Sequence, residues 1–217
     1  VRRTQAERSK ESRRRLLDAA FDLLVERCSL QFTLSDVGER AGYSRGLPGQ
    51  VFGSKDGLMI ELVQHLNTVT REMPLLDIRD DGFRAVLATV AGMMAAPETQ
   101  RKISLSLQIL LGEAAQPGSP IHEPVAGLSR MASGYISKQL RLAVARGEVR
   151  PDINPRAQGI LIISAIHGAL RQWLVDPERI STEDLRREIL MGLIRGMAVQ
   201  PDLWLAEWLP PRTRSDD

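Results

Sequence analysis

The stretch from Thr33 to Leu58, TLSDVGERAGYSRGLPGQVFGSKDGL, limits the possible folds more than any other part of the chain. It spells two short helices joined by a glycine turn, followed by a capped third. Helices this short cannot bury enough surface to stand alone, so the segment needs a helical scaffold around it. Thr33 is expected to be an N-cap, with Asp36 three residues on as its reciprocal partner. Leu34, Val37 and Ala41 form a small apolar stripe at helical spacing. Gly42 can end that helix in the left-handed region without steric cost. Ser44 is expected to cap the next helix, Arg45 to Phe52, with Leu47, Val51 and Phe52 inward and Arg45, Gly46, Pro48, Gly49 and Gln50 outward. Ser54 is expected to cap the helix that starts at Lys55. This is the pattern of a helix-turn-helix, which lays its second helix in the major groove of DNA.

That second helix is weak by propensity, because Gly46, Pro48 and Gly49 each disfavour helix relative to alanine by ~1 kcal/mol or more. Packing against Val37, Ala41 and the helix before it must hold it in place. Pro48 falls near the first turn, where a missing N–H does least harm. Gly46 and Gly49 would let the backbone approach the groove, Arg45 could reach a guanine or a phosphate, and Gln50 an adenine edge.

A stronger helix precedes this unit. Leu16, Leu17, Ala20, Phe21, Leu24, Val25 and Cys28 share one expected buried face, opposite Arg13, Arg14, Asp18, Asp22 and Glu26. Val1 to Arg15 reads as an arm with seven Lys or Arg against Glu7 and Glu11. Such an arm is either a solvated tail or a contact to phosphates or the minor groove. Cys28, the sole cysteine, excludes an internal disulfide and suits a reducing cytoplasm. Its place on the apolar face marks it as a core residue more than a redox sensor. The first residues are charged, unlike a signal peptide.

The run AGYSRGLPGQVFGSKDGL, Ala41 to Leu58, with the amphipathic helix and Thr-led helix before it, resembles the TetR family of bacterial transcriptional regulators. The motif likeness covers roughly Leu16 to Glu61. The resemblance implies a DNA-binding head at residues 1–57 and a helical effector-binding and dimerisation body at 58–217. It implies that Thr33 and Lys55 touch phosphates and that Ser44, Arg45 and Gln50 face the groove; with Tyr43 and Gly46 these make the expected DNA-contacting set. The family usually carries an aromatic or histidine pair before Phe52, whereas this chain has Gln50 and Val51. A ligand-responsive repressor, released from a palindromic operator by a small molecule, is the implied function. A helical interaction module that has lost specific DNA binding is the alternative.

Charge agrees with a nucleic-acid partner at one end. The net formal charge is only +2 with a sequence pI near 9.0, but the excess of positive charge sits in the first 58 residues. The rest of the chain is helical in pattern, so the expected class is all-α, with about nine or ten helices. Helices are expected at Lys55–Arg71 (Leu58, Leu62, Leu66 and Val69 inside, ended by Pro74) and at Gly82–Ala96, stopped by Pro97. Others are expected at Gln100–Glu113 and at Ile121–Arg146, ended by Gly147. The segment from Leu203 to Leu209, with Trp204 and Trp208, reads as a swapped arm, a flap or, most simply, a short terminal helix.

GILIISAIHGAL, Gly159 to Leu170, is apolar nearly all round yet far shorter than the ~20 residues that span a bilayer. A soluble helix of that kind is expected to be buried on every side. The helix from Thr182 to Val199 carries Gly192 and Gly196 one turn apart. A four-helix interface between two copies satisfies both, through Ile160, Ile163, His167, Leu170, Ile189, Gly192, Leu193 and Gly196; a thick monomeric core is the other solution. A twofold dimer would need a near-palindromic operator. The family likeness also implies an effector pocket, for which Met93, Met94, Leu107, Gln108, Leu111, Met131, Tyr135 and Trp173 are candidates. His65, His122 and His167 lie too far apart in sequence to suggest a metal site. No phosphate loop, nucleophile elbow or paired ligand motif occurs, so no cofactor and no enzymatic activity are expected. The expected partners are double-stranded operator DNA, a small-molecule effector and a second copy of the chain, in the cytoplasm and away from the membrane.

Overall fold

The computed structural model describes residues 4–71, 81–95 and 97–210. These form ten helices: α1 (Gln5–Arg27), α2 (Leu34–Arg40), α3 (Leu47–Phe52), α4 (Lys55–Arg71), α5 (Gly82–Met94), α6 (Pro97–Ala114), α7 (His122–Ala145), α8 (Pro155–Val175), α9 (Thr182–Met197) and α10 (Pro201–Trp208). The fold is all-α; the described residues hold no strand, only an isolated antiparallel bridge between Val149 and Ala198. No described helix is long and apolar enough to cross a membrane. The side chain of Val69, and all of Pro74 and Ala96, lie outside the described residues.

The chain divides into two compact units, Val1–Glu72 with Gln100–Leu128, and Met73–Thr99 with Ser129–Asp217. The first contains the helix-turn-helix. Its core takes Leu16, Ala20 and Leu24 from α1, Phe32 from the following loop, Val37 from α2 and Phe52 from α3. Leu58, Leu62 and Leu66 of α4, Leu110 of α6, and Ile121 and Val125 complete it. Three helices with one six-residue member offer too little apolar surface to close a core, which is why the packing unit runs past residue 57.

Two expectations for α1 are corrected. Residues 5–15 are not an arm but the first three turns of the helix. Thr4 caps it, accepting from the Glu7 N–H at 3.2 Å while the Glu7 carboxylate accepts from the Thr4 N–H at 2.7 Å. The Glu11–Arg15 pair, four apart, adds to it at 2.8 Å. Cys28 is not a core residue: it is exposed and forms the C-cap of α1, in the left-handed region at φ 47°.

In the second unit α5 packs on α8 and α9, and α10 on α9. Phe83, Val86, Leu87 and Val90 meet Ile162, Ile166, Leu170, Leu190 and Ile194. The start of α5 is held from outside the helix: the Gly82 N–H donates to Gln139 Oε1 at 3.0 Å and the Phe83 N–H to Glu148 Oε2 at 2.8 Å. Pro97 opens α6 rather than merely stopping α5, at a position where its missing N–H is harmless. α8 starts four residues ahead of the apolar run, because Asn154 accepts from the Arg156 and Ala157 N–H groups, both at 3.1 Å. The tryptophan segment is a terminal helix. Trp204 meets Phe83 edge-on, centroids 5.2 Å apart, and Arg84 lies over Trp204 while pairing with Glu207.

In the single chain α8 buries one face and leaves the other open. Ile160 and Leu161 are 53% and 60% exposed, whereas Ile163 and Leu170 turn into the core of their own unit. The open face instead follows Ile160, Leu161, Ser164, Ala165 and Gly168. On α9, Gly192 and Gly196 are exposed with open space where a Cβ would stand, and Ile189 and Leu193 are half-buried, as is His167 of α8.

Candidate nucleic-acid interface

Thr33 and Asp36 form the expected capping box of α2. The Asp36 N–H donates to Thr33 Oγ1 at 3.1 Å and the Thr33 N–H to Asp36 Oδ2 at 2.8 Å. That backbone donor, with Arg27 at 2.9 Å, holds the Asp36 carboxyl below the usual carboxylate range. The Thr33 hydroxyl accepts from the Asp36 N–H, which leaves its own proton available to donate.

The turn and α3 differ from expectation at two points. α3 begins at Leu47, not Arg45, and its N-cap is Gly46. Ser44 does not cap with its side chain; its carbonyl accepts from the Leu47 N–H at 3.1 Å. Pro48 is buried, not outward, because it is the second residue of the helix and faces α2. The partner it meets is Gly38, which the sequence reading passed over. A Cβ on Gly38 would stand 2.7 Å from the Ser44 carbonyl oxygen and 3.3 Å from Pro48 Cδ. A glycine in a helix interior costs ~1 kcal/mol, and that cost was the signal for a close helix approach here. Gly57 has the same role at the start of α4, where a Cβ would strike the Phe52 carbonyl. Gly42 and Gly53 take positive φ, 76° and 75°. Ser54 caps α4 through the Gly57 N–H at 3.0 Å.

Arg13, assigned to the outer face of α1, is the second residue the sequence reading undervalued. It pairs with Glu61 of α4, donates to the Val51 carbonyl of α3 at 3.1 Å, and lies over the Phe52 ring at 5.4 Å. One guanidinium thus ties α1, the end of α3 and α4. Lys55 is a comparable tie. Its ammonium donates to the Leu30 carbonyl at 2.7 Å and lies 5.6 Å from the Phe32 ring centre. Two of its three N–H donors are left over from that bond. On the outer surface Ser44, Arg45, Gly46 and Gln50 are exposed and Tyr43 is half-buried; Arg45 pairs with Glu39. A Cβ added at Gly46 or at Gly49 would meet open space.

The candidate effector residues do not come together in one unit. Leu107, Gln108 and Leu111 belong to the first, where Leu107 and Leu111 pack against its core. Met93, Met94, Met131, Tyr135 and Trp173 belong to the second; Met94 and Trp173 are buried, while Met131 and Tyr135 are 41% and 36% exposed. An open hollow of about 560 Å³ lies elsewhere, lined by Glu7, Lys10, Glu11, Arg13, Arg14, Leu17 and His65. Five of its seven lining residues carry a charged group.

A short helix presented from a close-packed turn, on a helical scaffold, defines a helix-turn-helix DNA-binding protein. The chain is 31% identical over 152 residues to the HTH-type transcriptional regulator SrpR of Pseudomonas putida, covering 69% of this chain and 68% of that protein. The fold matches a TetR transcriptional regulator from Chloroflexus aurantiacus with a TM-score of 0.79, at 17% identity over 89% of this chain and 100% of that one. It also matches a transcriptional regulator from Saccharomonospora viridis in complex with choline, TM-score 0.76, at 18% identity over 88% of this chain and 100% of that one. No family model matches the sequence. The chain belongs to the TetR family of transcriptional regulators, a family of DNA-binding regulators and not of enzymes.

Proposed function

We propose that the chain is a repressor that binds a near-palindromic operator as a homodimer and is released by a small organic effector. The observation that carries this reading is the open surface of the turn and α3. Ser44, Arg45, Gly46 and Gln50 are exposed there on a scaffold that fixes α3 through Gly38, Pro48 and Arg13. Arg45 and Gln50 read base edges, and the glycine backbone at Gly46 comes close to the groove. Ser44 faces the groove beside them, and Thr33, Tyr43 and Lys55 hold phosphates, Lys55 with the donors its bond to Leu30 leaves over. Residues 1–57 act as the DNA-binding head and 58–217 as the body, acting in the cytoplasm.

Dimerisation is supported by the open apolar face of α8 beside the bare glycines of α9. Ile160, His167, Ile189, Gly192, Leu193 and Gly196 serve there, joined by Leu161, whereas Ile163 and Leu170 support the face from within. Two copies related by a twofold axis would set their heads on successive major grooves. The effector pocket is assigned to Met93, Met94, Met131, Tyr135 and Trp173 in the second unit. The relative in complex with choline supports only that a protein of this fold can bind a small organic molecule. An effector that prefers the DNA-incompetent arrangement of the heads lowers operator affinity by its differential affinity for the two states. We assign α4 as the lever.

Selection from a random duplex pool, followed by titration at several salt concentrations, tests the reading. Specific binding in the 10⁻⁸–10⁻¹¹ M range and a steep salt slope are expected. Failure to enrich any sequence would leave the helical interaction module as the better reading.

A further inference from the structure

We propose that Glu39 is a specificity-determining residue: from α2 it holds Arg45 by its Nε and so aims the two terminal nitrogens of the guanidinium at a guanine in the major groove. The proposal rests on the reading that Arg45 faces the groove.

Arg45 lies in the turn before α3, outside any helix, so no helical backbone restricts its rotamer. Neighbouring atoms do not confine it either. Its side chain is 76% exposed. The one polar contact it makes among the described residues is from Nε to Oε1 of Glu39, in the last turn of α2. The two other arginine pairs nearby do a different job. Arg27–Asp36 and Arg40–Glu26 each join α1 to α2 and so stitch the scaffold. The Arg45–Glu39 pair joins no two helices of the scaffold. What it fixes is the direction of one exposed guanidinium.

The chemistry of that direction is specific. A guanidinium presents five N–H donors in a rigid plane. A carboxylate on Nε leaves the far end, Nη1 and Nη2, with two parallel donors. Guanine offers two acceptors side by side, O6 and N7, at the matching spacing. Adenine puts an N6 amino donor where guanine has O6, so the same pose loses a bond and faces a like donor. Holding Arg45 by Nε therefore selects guanine over adenine before DNA arrives and limits the rotamer freedom lost on binding. Glu39 itself carries a negative charge towards a polyanion, so it also penalises binding that ignores sequence.

These two effects give Glu39 variants a signature that simple weakening of the head would not share. In Glu39→Ala the preference for guanine at one position of each half-site is expected to fall about tenfold. Affinity for mixed-sequence duplex should rise about two- to threefold as the repulsion is removed. Arg45→Ala should lose the same base preference at the same position, and the double variant should lose no more than Arg45→Ala alone. Glu39→Gln keeps an acceptor for Nε without the charge. It should retain most of the guanine preference while still binding mixed DNA more tightly. The experiment is selection of duplexes from a random pool with the full chain, then competition titrations, with thermal melting as a check that each head is folded. Parallel loss of specific and non-specific affinity in Glu39→Ala would show a merely structural role and overturn the proposal. So would an unchanged base preference in Glu39→Ala when Arg45→Ala changes it. An unchanged preference in Arg45→Ala would overturn the groove assignment of Arg45, and this proposal with it.

Discussion

Gly38→Ala tests the physical basis of the DNA-binding head most directly. Gly38 is interior to α2, so alanine is favoured there by helix propensity alone, by ~1 kcal/mol. The structure predicts the opposite sign. The new Cβ would stand 2.7 Å from the Ser44 carbonyl oxygen, 3.3 Å from Arg45 Cα and 3.3 Å from Pro48 Cδ. Ordinary contact begins at 3.4 Å, so about 0.7 Å must be found at the oxygen. Two of those three atoms are backbone and the third is in a rigid ring, so no side chain can swing away. The same carbonyl accepts the Leu47 N–H that starts α3, so relieving the clash displaces the recognition helix itself. Overpacking costs ~1–3 kcal/mol, and with no side chain free to move the upper part of that range, ~2–3 kcal/mol, applies, leaving a net loss of ~1–2 kcal/mol after the propensity gain. For a unit of roughly one hundred residues that lowers Tm by ~5–10 °C. At 25 °C the protein should still be folded, yet operator affinity should drop at least ~tenfold, because groove contacts worth ~1–3 kcal/mol each lose their register. Circular dichroism melting and fluorescence anisotropy on a selected duplex measure the two effects. Gly49→Ala is the control: its Cβ meets open space, so it should stabilise α3 by ~0.5–1 kcal/mol. A Gly38→Ala protein that melts no lower than the wild type and binds normally would refute the claim that this contact sets the approach of α2 and α3.

Arg13→Ala should destabilise the first unit by ~1–2 kcal/mol through loss of the Phe52 cation–π contact and the half-exposed bond to the Val51 carbonyl. It should weaken binding to all sequences alike, and a change confined to one base pair in a selection experiment would contradict its role as a tie. Leu161→Glu places a charge on the open face of α8 at a site 60% exposed in the single chain. Light scattering should then report a monomer with unchanged helix content, and a persisting dimer would move the interface elsewhere. Burial lowers the pKa of His167, so the unfolded chain takes up the proton first. The stability this group contributes is complete above the ordinary histidine pKa and is lost as pH falls from there towards the lowered folded value. The limiting slope is ~1.4 kcal/mol per pH unit. Denaturant titrations of His167→Gln across pH 5–8 should lack that part of the slope.

Much of the fold could be read from the chain alone because the relevant interactions are local. Helix boundaries follow side chains three or four residues apart. Thr33 with Asp36, Ser54, Gly42 and Gly147 all stand where the sequence places them. The same rule would have found the Thr4–Glu7 box and with it the helical state of residues 5–15. The buried stripes of α4 and α5 likewise need only a period of 3.6, and Leu58, Leu62, Leu66, Phe83 and Val86 are all fully buried.

What the sequence by itself determined is therefore the class: all-α helices, their order, and a helix-turn-helix behind an amphipathic helix with a basic segment before it. The tertiary structure alone decided which neighbours those helices meet, because that depends on atoms far apart in the chain. Gly38 is an ordinary weak helix residue until the Ser44 carbonyl arrives above it. Arg13 is a surface charge until Val51 and Glu61, 38 and 48 residues away, close around it. Pro48 faces in, and Ile163 turns inward while Leu161 turns out, because the direction of a face is set by the partner it packs against. Periodicity says that a face exists; only the packed neighbour says where it points.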